Sequence, residues 1–202
     1  AGACIAIGYQ VMTDTDAVGG DYNIGIGHQS MNGTWATTNS QYNVAIGGKT
    51  MQGAMNDADN NIAIGYESLN ALTTGDKNTF MGSEAGKTLT TGHSNVGIGY
   101  QVMHDLDSGS DASSSYGNTF MGYNAASSYN VGIGYGVMSG ALDEAWYNTC
   151  VGYQAGKAIT SGDNNTFIGK NAGLAMDTSS SNTAVGAGSF SSAIGTETGD
   201  VA

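Results

Sequence analysis

The chain has 202 residues, of which 33 are glycine and none is proline, and its formal net charge at pH 7 is -12. With only 5 Lys and Arg residues it lacks a basic surface for nucleic acid, and anionic lipid would repel it. No apolar run approaches the roughly 20 residues that a membrane-spanning helix needs. We therefore expect no nucleic-acid partner and no membrane insertion of this segment. Because the chain starts at Ala1 rather than Met, we interpret 1–202 as a single repeat domain from a longer fibre protein.

A five-residue pattern recurs along the chain: Asn, a β-branched residue, a small residue or Phe, a large aliphatic residue, and Gly. In chain order its twelve copies end at Gly8, Gly27, Gly47, Gly65, Gly82, Gly99, Gly122, Gly134, Gly152, Gly169, Gly186 and Gly195. The copies are too short and too β-branched for helical repeats, and their apolar positions have no helical period. Constant strands joined by variable connections predict an all-β parallel solenoid of about twelve short rungs with variable loops.

Asparagine begins ten of the twelve copies, at Asn23, Asn43, Asn61, Asn78, Asn95, Asn118, Asn130, Asn148, Asn165 and Asn182. Cys4 and Ser191 replace it in the first and last copies, where a capping layer is expected to differ. An amide at a repeated strand position can bond to the backbone or to the amide of the next layer. We therefore predict a structural ladder of asparagines.

Two positions of each copy vary together in size. They are the residue two before the glycine, here called the inner site, and the residue four after it, the outer site. Phe80 is followed by Gly86, whereas Ala45 is followed by Met51, and eleven of the twelve copies pair large with small. Close-packed cores hold volume nearly constant, so the two sites are expected to share one core layer, with the glycine as the bend between them.

Both faces of each predicted strand are apolar. The residue just before the glycine, such as Ile26 or Ile46, is aliphatic and directly follows the inner site. Successive strand residues point to opposite faces, and a solenoid made of one chain can bury only one of them. The second face therefore predicts a repeating partner surface, most simply in a symmetric homo-oligomer.

Three of these pentads carry a family resemblance. The runs Asn43-Val-Ala-Ile-Gly47, Asn61-Ile-Ala-Ile-Gly65 and Asn182-Thr-Ala-Val-Gly186 resemble the head repeats of trimeric autotransporter adhesins, and similar repeats occur in tail fibres of bacterial viruses. The resemblance covers essentially the whole chain. It implies a left-handed parallel β-roll, assembled as a parallel homotrimer, in a product that binds host surfaces. The expected location is extracellular, on a virion or on a bacterial cell surface.

The position after the glycine carries tyrosine in six copies, at Tyr9, Tyr66, Tyr100, Tyr123, Tyr135 and Tyr153. With layers ~4.8 Å apart, these residues would form an aromatic ladder. The ladder has two interpretations: a strip on which sugar rings stack, or packing against a neighbouring subunit with the hydroxyls at the rim. We favour the second, because a repeated position usually serves the repeat.

Variable loops on a rigid scaffold are the usual place for binding residues. Trp35 and Trp146 lie in such loops, and Tyr116 lies in the longest one. One hypothesis is that the three residues contact a cell-surface receptor, such as a glycan. The rival hypothesis is that they fold back and shield the strand edge.

Alternating carboxylates make Asp14, Asp16, Asp105 and Asp107 weak calcium candidates. Neither stretch completes an EF-hand loop, so we favour solvated acidic loops and expect no metal and no cofactor.

No residue set points to catalysis. The histidines His28, His93 and His104 lie in different repeats, and none is beside a plausible nucleophile. The sequence favours a non-catalytic adhesive fibre; the alternatives are a tailspike-like enzyme that degrades polysaccharide with paired carboxylates, or a purely structural shaft without a ligand. Cys4 and Cys150 fall in the first and ninth copies, too distant for a disulfide, so two free thiols are predicted.

Overall fold

The computed structural model describes residues 2–13, 20–35, 40–104, 116–123, 129–140 and 145–192. The chain forms two compact units, Ala1–Tyr116 and Gly117–Ala202. Regular structure in the described residues consists of β-strands, and each strand begins at the second residue of one pentad. These residues contain no helix, and hence none that could cross a membrane. The weak calcium candidates Asp14, Asp16, Asp105 and Asp107 lie outside the described residues.

The first unit contains six strands: β1 (Ile5–Ile7), β2 (Ile24–Ile26), β3 (Val44–Ile46), β4 (Ile62–Ile64), β5 (Thr79–Met81) and β6 (Val96–Ile98). Each strand pairs in parallel with the next one along the chain, pentad against pentad. Ala45 lies opposite Ala63, and Ala63 lies opposite Phe80. Consecutive parallel strands require the chain to travel once around before each new pairing. The unit is therefore a parallel β-solenoid.

The second unit repeats this arrangement with five strands: β7 (Thr119–Tyr123), β8 (Val131–Tyr135), β9 (Thr149–Val151), β10 (Thr166–Ile168) and β11 (Thr183–Val185). Phe120 lies opposite Gly132, and Gly132 lies opposite Cys150. The predicted all-β parallel solenoid is confirmed in each unit. The copy ending at Gly195 lies outside the described residues, so the count of twelve rungs stays a prediction. The left-handed sense and the single domain over 1–202 also stay predictions.

The core of the rungs between the two ends of each unit is filled jointly by the inner and outer sites where both are described, as the sequence predicted, whereas Ala6 in the first rung is exposed. Phe80 is fully buried, and a Cβ on Gly86 would lie 2.9 Å from its ring. Phe167 stands in the same relation to Gly173, where a Cβ would lie 2.3 Å from the ring. Where the inner site is small, the outer site is a large buried side chain such as Met51. The predicted shared core layer is confirmed.

The glycine that ends each pentad is needed for two reasons: its backbone bends there, and the backbone of the next rung lies too close for a side chain. Gly47 has a φ of 140°, which L-residues rarely adopt, and a Cβ there would lie 2.3 Å from the carbonyl oxygen of Gly65. Gly65 stands in the same relation to Gly82, at 2.2 Å. The close spacing of parallel rungs leaves no room for a side chain at this position.

Each full rung also places residues other than glycine in the left-handed region, which the sequence did not signal. In one rung these are Tyr42 (φ 58°), Lys49 (φ 55°) and Met51 (φ 49°). A left-handed residue with a side chain costs about 1 kcal/mol. Contacts between rungs must offset this cost, so an isolated copy of the repeat is not expected to fold.

Adjacent glycines allow a matched test of the glycine requirement. We expect Gly47→Ala to lower the free energy of unfolding by about 3 kcal/mol, because it combines backbone strain with a clash against Gly65. Urea unfolding followed by circular dichroism measures the loss. In the control Gly48→Ala, the new Cβ would lie 3.3 Å from Cδ2 of the exposed Tyr66 ring, which can yield, and the loss should stay below about 1 kcal/mol. Equal losses in the two variants would contradict this explanation.

Candidate interaction surface

The strands turn one face to the core and the other to solvent. In β3, Val44 and Ile46 are half-buried while Ala45 between them is fully buried. The outward positions, directly after the asparagine and directly before the glycine, form two columns that we call the outer strand face. Its large exposed apolar members are Ile5, Ile7, Ile62, Met81, Met121, Val131, Ile133, Ile168 and Val185.

The outer strand face leaves aliphatic side chains in water. Ile7 is 58% exposed and Val185 is 60% exposed. Removing apolar surface from water is worth roughly 25 cal/mol per Å², and contiguous exposed patches of this kind are typical of interaction sites. A single chain buries only one face of each strand. The expectation of a partner surface rests on this.

A first tyrosine column follows one edge of the outer strand face, at the position after the pentad glycine. Tyr123 stacks on Tyr135 with ring centroids 5.1 Å apart, and Tyr135 stacks on Tyr153 at 5.2 Å. In the other unit, Tyr9 stacks on His28 at 5.4 Å. Both faces of the Tyr135 ring are thus covered by neighbouring rings, and a sugar needs a free face on which to stack. The edges and hydroxyls of the column remain open to solvent.

Two further members of the predicted ladder, Tyr66 and Tyr100, are also exposed. In the rung before Tyr66, the same column position holds Gly48, which has no side chain.

A second tyrosine column lies just before the asparagine, at the opposite end of the strand. Tyr22 stacks on Tyr42 in the first unit, with centroids 5.2 Å apart and an interplanar angle of 2°. Tyr129 stacks on Tyr147 in the second unit at 5.5 Å. The sequence reasoning missed these residues because few copies carry tyrosine there. Their shared spacing from the asparagine was the signal that could have found them.

The asparagines form continuous hydrogen-bonded columns in the core. The backbone N–H of Asn61 donates to Oδ1 of Asn43 at 2.9 Å, and its Nδ2 donates to the same oxygen at 3.0 Å. Nδ2 of Asn61 also donates to the carbonyl oxygen of Gly75 in the next rung at 2.8 Å. In the second unit, Asn165 makes the equivalent bond to Oδ1 of Asn148 at 2.9 Å. Each of these asparagines is at most 1% exposed, so water does not compete for the hydrogen bonds by which its amide connects neighbouring rungs.

Acidic side chains form another ladder, two residues before the asparagine. Oδ1 of Asp59 accepts from the backbone N–H of Gln41 at 2.6 Å, and Oδ1 of Asp76 accepts from the N–H of Asp59 at 2.8 Å. Oδ1 of Asp163 accepts from the N–H of Trp146 at 2.7 Å. These carboxylates satisfy backbone donors of the preceding rung. Among the described residues, no group of three or more His, Cys, Asp or Glu residues is placed to hold a metal ion.

The three proposed receptor contacts differ in their surroundings. Trp35 is only 1% exposed and packs against Gly20, where a Cβ would lie 2.3 Å from its ring. So little of the Trp35 ring is exposed in this conformation that it offers almost no surface to a receptor, and the shielding of a strand edge stays a hypothesis. Trp146 is 43% exposed. Tyr116 stacks on His93 with ring centroids 5.4 Å apart.

The histidines are held by neighbours in the repeat. Nδ1 of His93 accepts from the backbone N–H of Asp76 at 2.9 Å, where other rungs use a carboxylate. Nε2 of His104 lies 3.0 Å from Oε2 of Glu84. His28 stacks on Tyr9, as described above.

A small ionic network lies on the turns of the first unit. Nζ of Lys87 lies 2.7 Å from Glu67, and the resulting hydrogen bond lowers the pKa of Glu67 and raises that of Lys87. Lys49 also approaches Glu67, at 3.7 Å. The pKa of Glu84 is lowered mainly by a hydrogen bond from Gln101. Carboxylates with lowered pKa values stabilise the fold above their unfolded pKa and lose that contribution as pH falls, and the contribution is small because solvent screens exposed pairs.

Both cysteines are free thiols, as predicted. Burial raises the pKa of Cys150 to about 12, so this thiol stays protonated at neutral pH. Cys4 is exposed, and its Sγ lies 3.0 Å from the carbonyl oxygen of Gly20.

Neighbouring asparagines provide a test of the buried column. We expect Asn61→Ala to lower the free energy of unfolding by about 3 kcal/mol, because it leaves buried donors and acceptors of both adjacent rungs without partners. Thermal and urea unfolding measure the change. The matched control is Asn60→Gly, at an exposed residue with a φ of 59°, which should change stability by less than about 0.5 kcal/mol. A stable Asn61→Ala variant would remove the column as a major support of the fold.

Comparisons with known proteins assign the chain to no family. No protein-family model matches it, no curated protein matches it, and no solved structure matches it. The resemblance of the pentads to adhesin and tail-fibre repeats therefore rests on the residues themselves. Function has to be argued from the outer strand face and from the loops.

Proposed function

We propose that this chain is a structural and adhesive segment of an extracellular trimeric fibre that attaches to a host or cell surface and has no catalytic role. A phage tail fibre or a bacterial surface adhesin would contain such a segment. The observation that carries the proposal is the outer strand face, which exposes aliphatic side chains in rung after rung.

The outer strand face suits a second copy of the same repeat. Parallel copies in register would set aliphatic residues against aliphatic residues along the column before the glycine, and aliphatic residues or threonines against their own kind along the column after the asparagine. A repeating surface is most simply covered by an identical one. The two tyrosine columns would then border the contact, with apolar rings packed inward and hydroxyls at the wet rim. That the proposed assembly contains three chains is inferred from the resemblance of the pentads to trimeric adhesin heads.

Charge supports the same contact. None of the eleven described strands contains a charged residue, although the chain has 17 Asp and Glu residues. Three copies would carry a formal charge of three times -12, which is -36, borne outside the strands. Copies could therefore meet at the strand face without directly opposed carboxylates, while the rest of the surface repels nonspecific partners.

The oligomeric state tests the assembly. Light scattering on the purified chain should give three times 20.4 kDa, with a β-type circular dichroism spectrum on the same sample. Ile62→Asp, which places a carboxylate on the outer strand face, should lower the mass to that of a single chain. Ala54→Asp adds the same charge at an exposed residue outside the strands and should leave the assembly intact. A stable β-rich monomer in the unaltered chain would contradict the proposal.

Attachment tests the adhesive role separately. Labelled chain should bind to a panel of bacterial cells or to their purified surface glycans, and Trp146→Ala should reduce this binding several-fold, because it removes an exposed loop aromatic. Lys157→Ala, also at an exposed residue, is the control and should bind normally. If Trp146→Ala kept the unaltered mass and bound as well as the unaltered chain, Trp146 would drop out as a contact. If the unaltered chain bound none of the surfaces, the result would contradict the adhesive role and favour a structural shaft without a ligand.

A further inference from the structure

Tyrosines of neighbouring rungs lie ring against ring within a single chain. In the second unit Tyr123, Tyr135 and Tyr153 form one continuous stack, with interplanar angles of 11° and 7°. In the same unit Tyr129 and Tyr147 form a separate pair. The first unit adds the pair Tyr22 and Tyr42, whose stacked rings are nearly parallel.

The stacked rings are open to reagents at their edges. In the three-ring stack the residues are between 40% and 49% exposed, and Tyr22 and Tyr42 are 52% and 53% exposed. Neighbouring rings cover both faces of Tyr135 and one face of each of its stacked neighbours, so the exposed part of Tyr135 consists of its ring edge and hydroxyl. These are the parts of a phenol from which an oxidant removes an electron and a proton.

We propose that the stacked tyrosines are sites of oxidative cross-linking that join neighbouring rungs by dityrosine bonds. The oxidant is hydrogen peroxide, used by a haem peroxidase. One-electron oxidation of each of two stacked phenols, with loss of its proton, gives two phenoxyl radicals. These couple to form a carbon–carbon bond between ring carbons next to the phenol carbons, and proton shifts from those carbons restore both hydroxyls. Overall the two tyrosines lose two hydrogen atoms, and one hydrogen peroxide becomes two water molecules.

The ring stacks favour coupling between neighbours over coupling at random. The fold holds the partner ring at a centroid distance of 5.1–5.5 Å before any radical forms, so no diffusive encounter is needed. Each bond would close a loop between consecutive rungs, in a chain whose two cysteines are both free. Such closure constrains the unfolded chain as a disulfide does, but a reductant does not reverse it.

Tyr66 provides an internal control. The same column position holds Gly48 in the preceding rung and Ser83 in the following one, so the adjacent rungs offer Tyr66 no phenol in its own column. Tyr9 is likewise stacked on His28 rather than on a tyrosine. Neither residue should form a dityrosine bond within the chain. The inference depends on ring stacks inside one chain and does not require the proposed trimer.

The test is to treat the folded chain with a haem peroxidase and limiting hydrogen peroxide, then to follow dityrosine fluorescence and map the linked peptides by mass spectrometry. Links should join Tyr22 to Tyr42, Tyr129 to Tyr147, and Tyr135 to one of its two neighbours. Tyr135→Phe should remove the links in the three-ring stack and lower the fluorescence, whereas Tyr66→Phe should leave it unchanged. Ser83→Tyr, which extends the column beside Tyr66, should create a new link.

The cross-linked chain should also run as a single chain on a denaturing gel and melt at a higher temperature than the untreated chain. Links that form mainly at Tyr9 or Tyr66, or only between separate chains, would overturn the proposal. So would a folded chain that forms no dityrosine while free tyrosine in the same tube does. None of these outcomes depends on the mass measured by light scattering, so this inference and the trimer can fail independently.

Discussion

A buried asparagine directly before every described strand except β1 ties neighbouring rungs of each unit together. Its oxygen accepts from the backbone N–H of the following asparagine, and its amide nitrogen donates to a carbonyl of that same following rung, as Asn61 does with Asn78 and Gly75. An amide buried without these partners would destabilise the fold, so the strands can stack in one register only. The pentad glycine then permits the close approach that this register demands.

Once the register is fixed, the two strand faces have different roles. The inward face alternates large and small residues, so that Phe80 is accommodated by Gly86 and the adjacent rung's Gly97. The outward face has no such counterpart within the chain, and its aliphatic and tyrosine columns repeat at the spacing that the asparagines set. The proposed trimer and the proposed cross-links both follow from this repetition, the first through the aliphatic columns and the second through the tyrosines.

The parallel solenoid and the core layers could be predicted because they depend on residues that recur at constant spacing. Trp35 could not be placed, because it lies in a loop of irregular length, and only the fold shows it packed on Gly20. The left-handed backbone at Tyr42 and Lys49 was equally hidden, since neither residue type favours that conformation. The tyrosine pairs were missed for a third reason: a pair needs only two neighbouring rungs, too few to stand out as a repeat.

Site-resolved amide hydrogen exchange tests the asparagine column most directly. The backbone N–H groups of Asn61, Asn78 and Asn95 bond to side chains rather than to strand carbonyls, so their protection reports on the column itself. They should exchange as slowly as the strand amides of Ile62 and Thr79, and all of them should open together, because the rungs are coupled. Fast exchange at the asparagine amides, with protected strand amides beside them, would contradict the account.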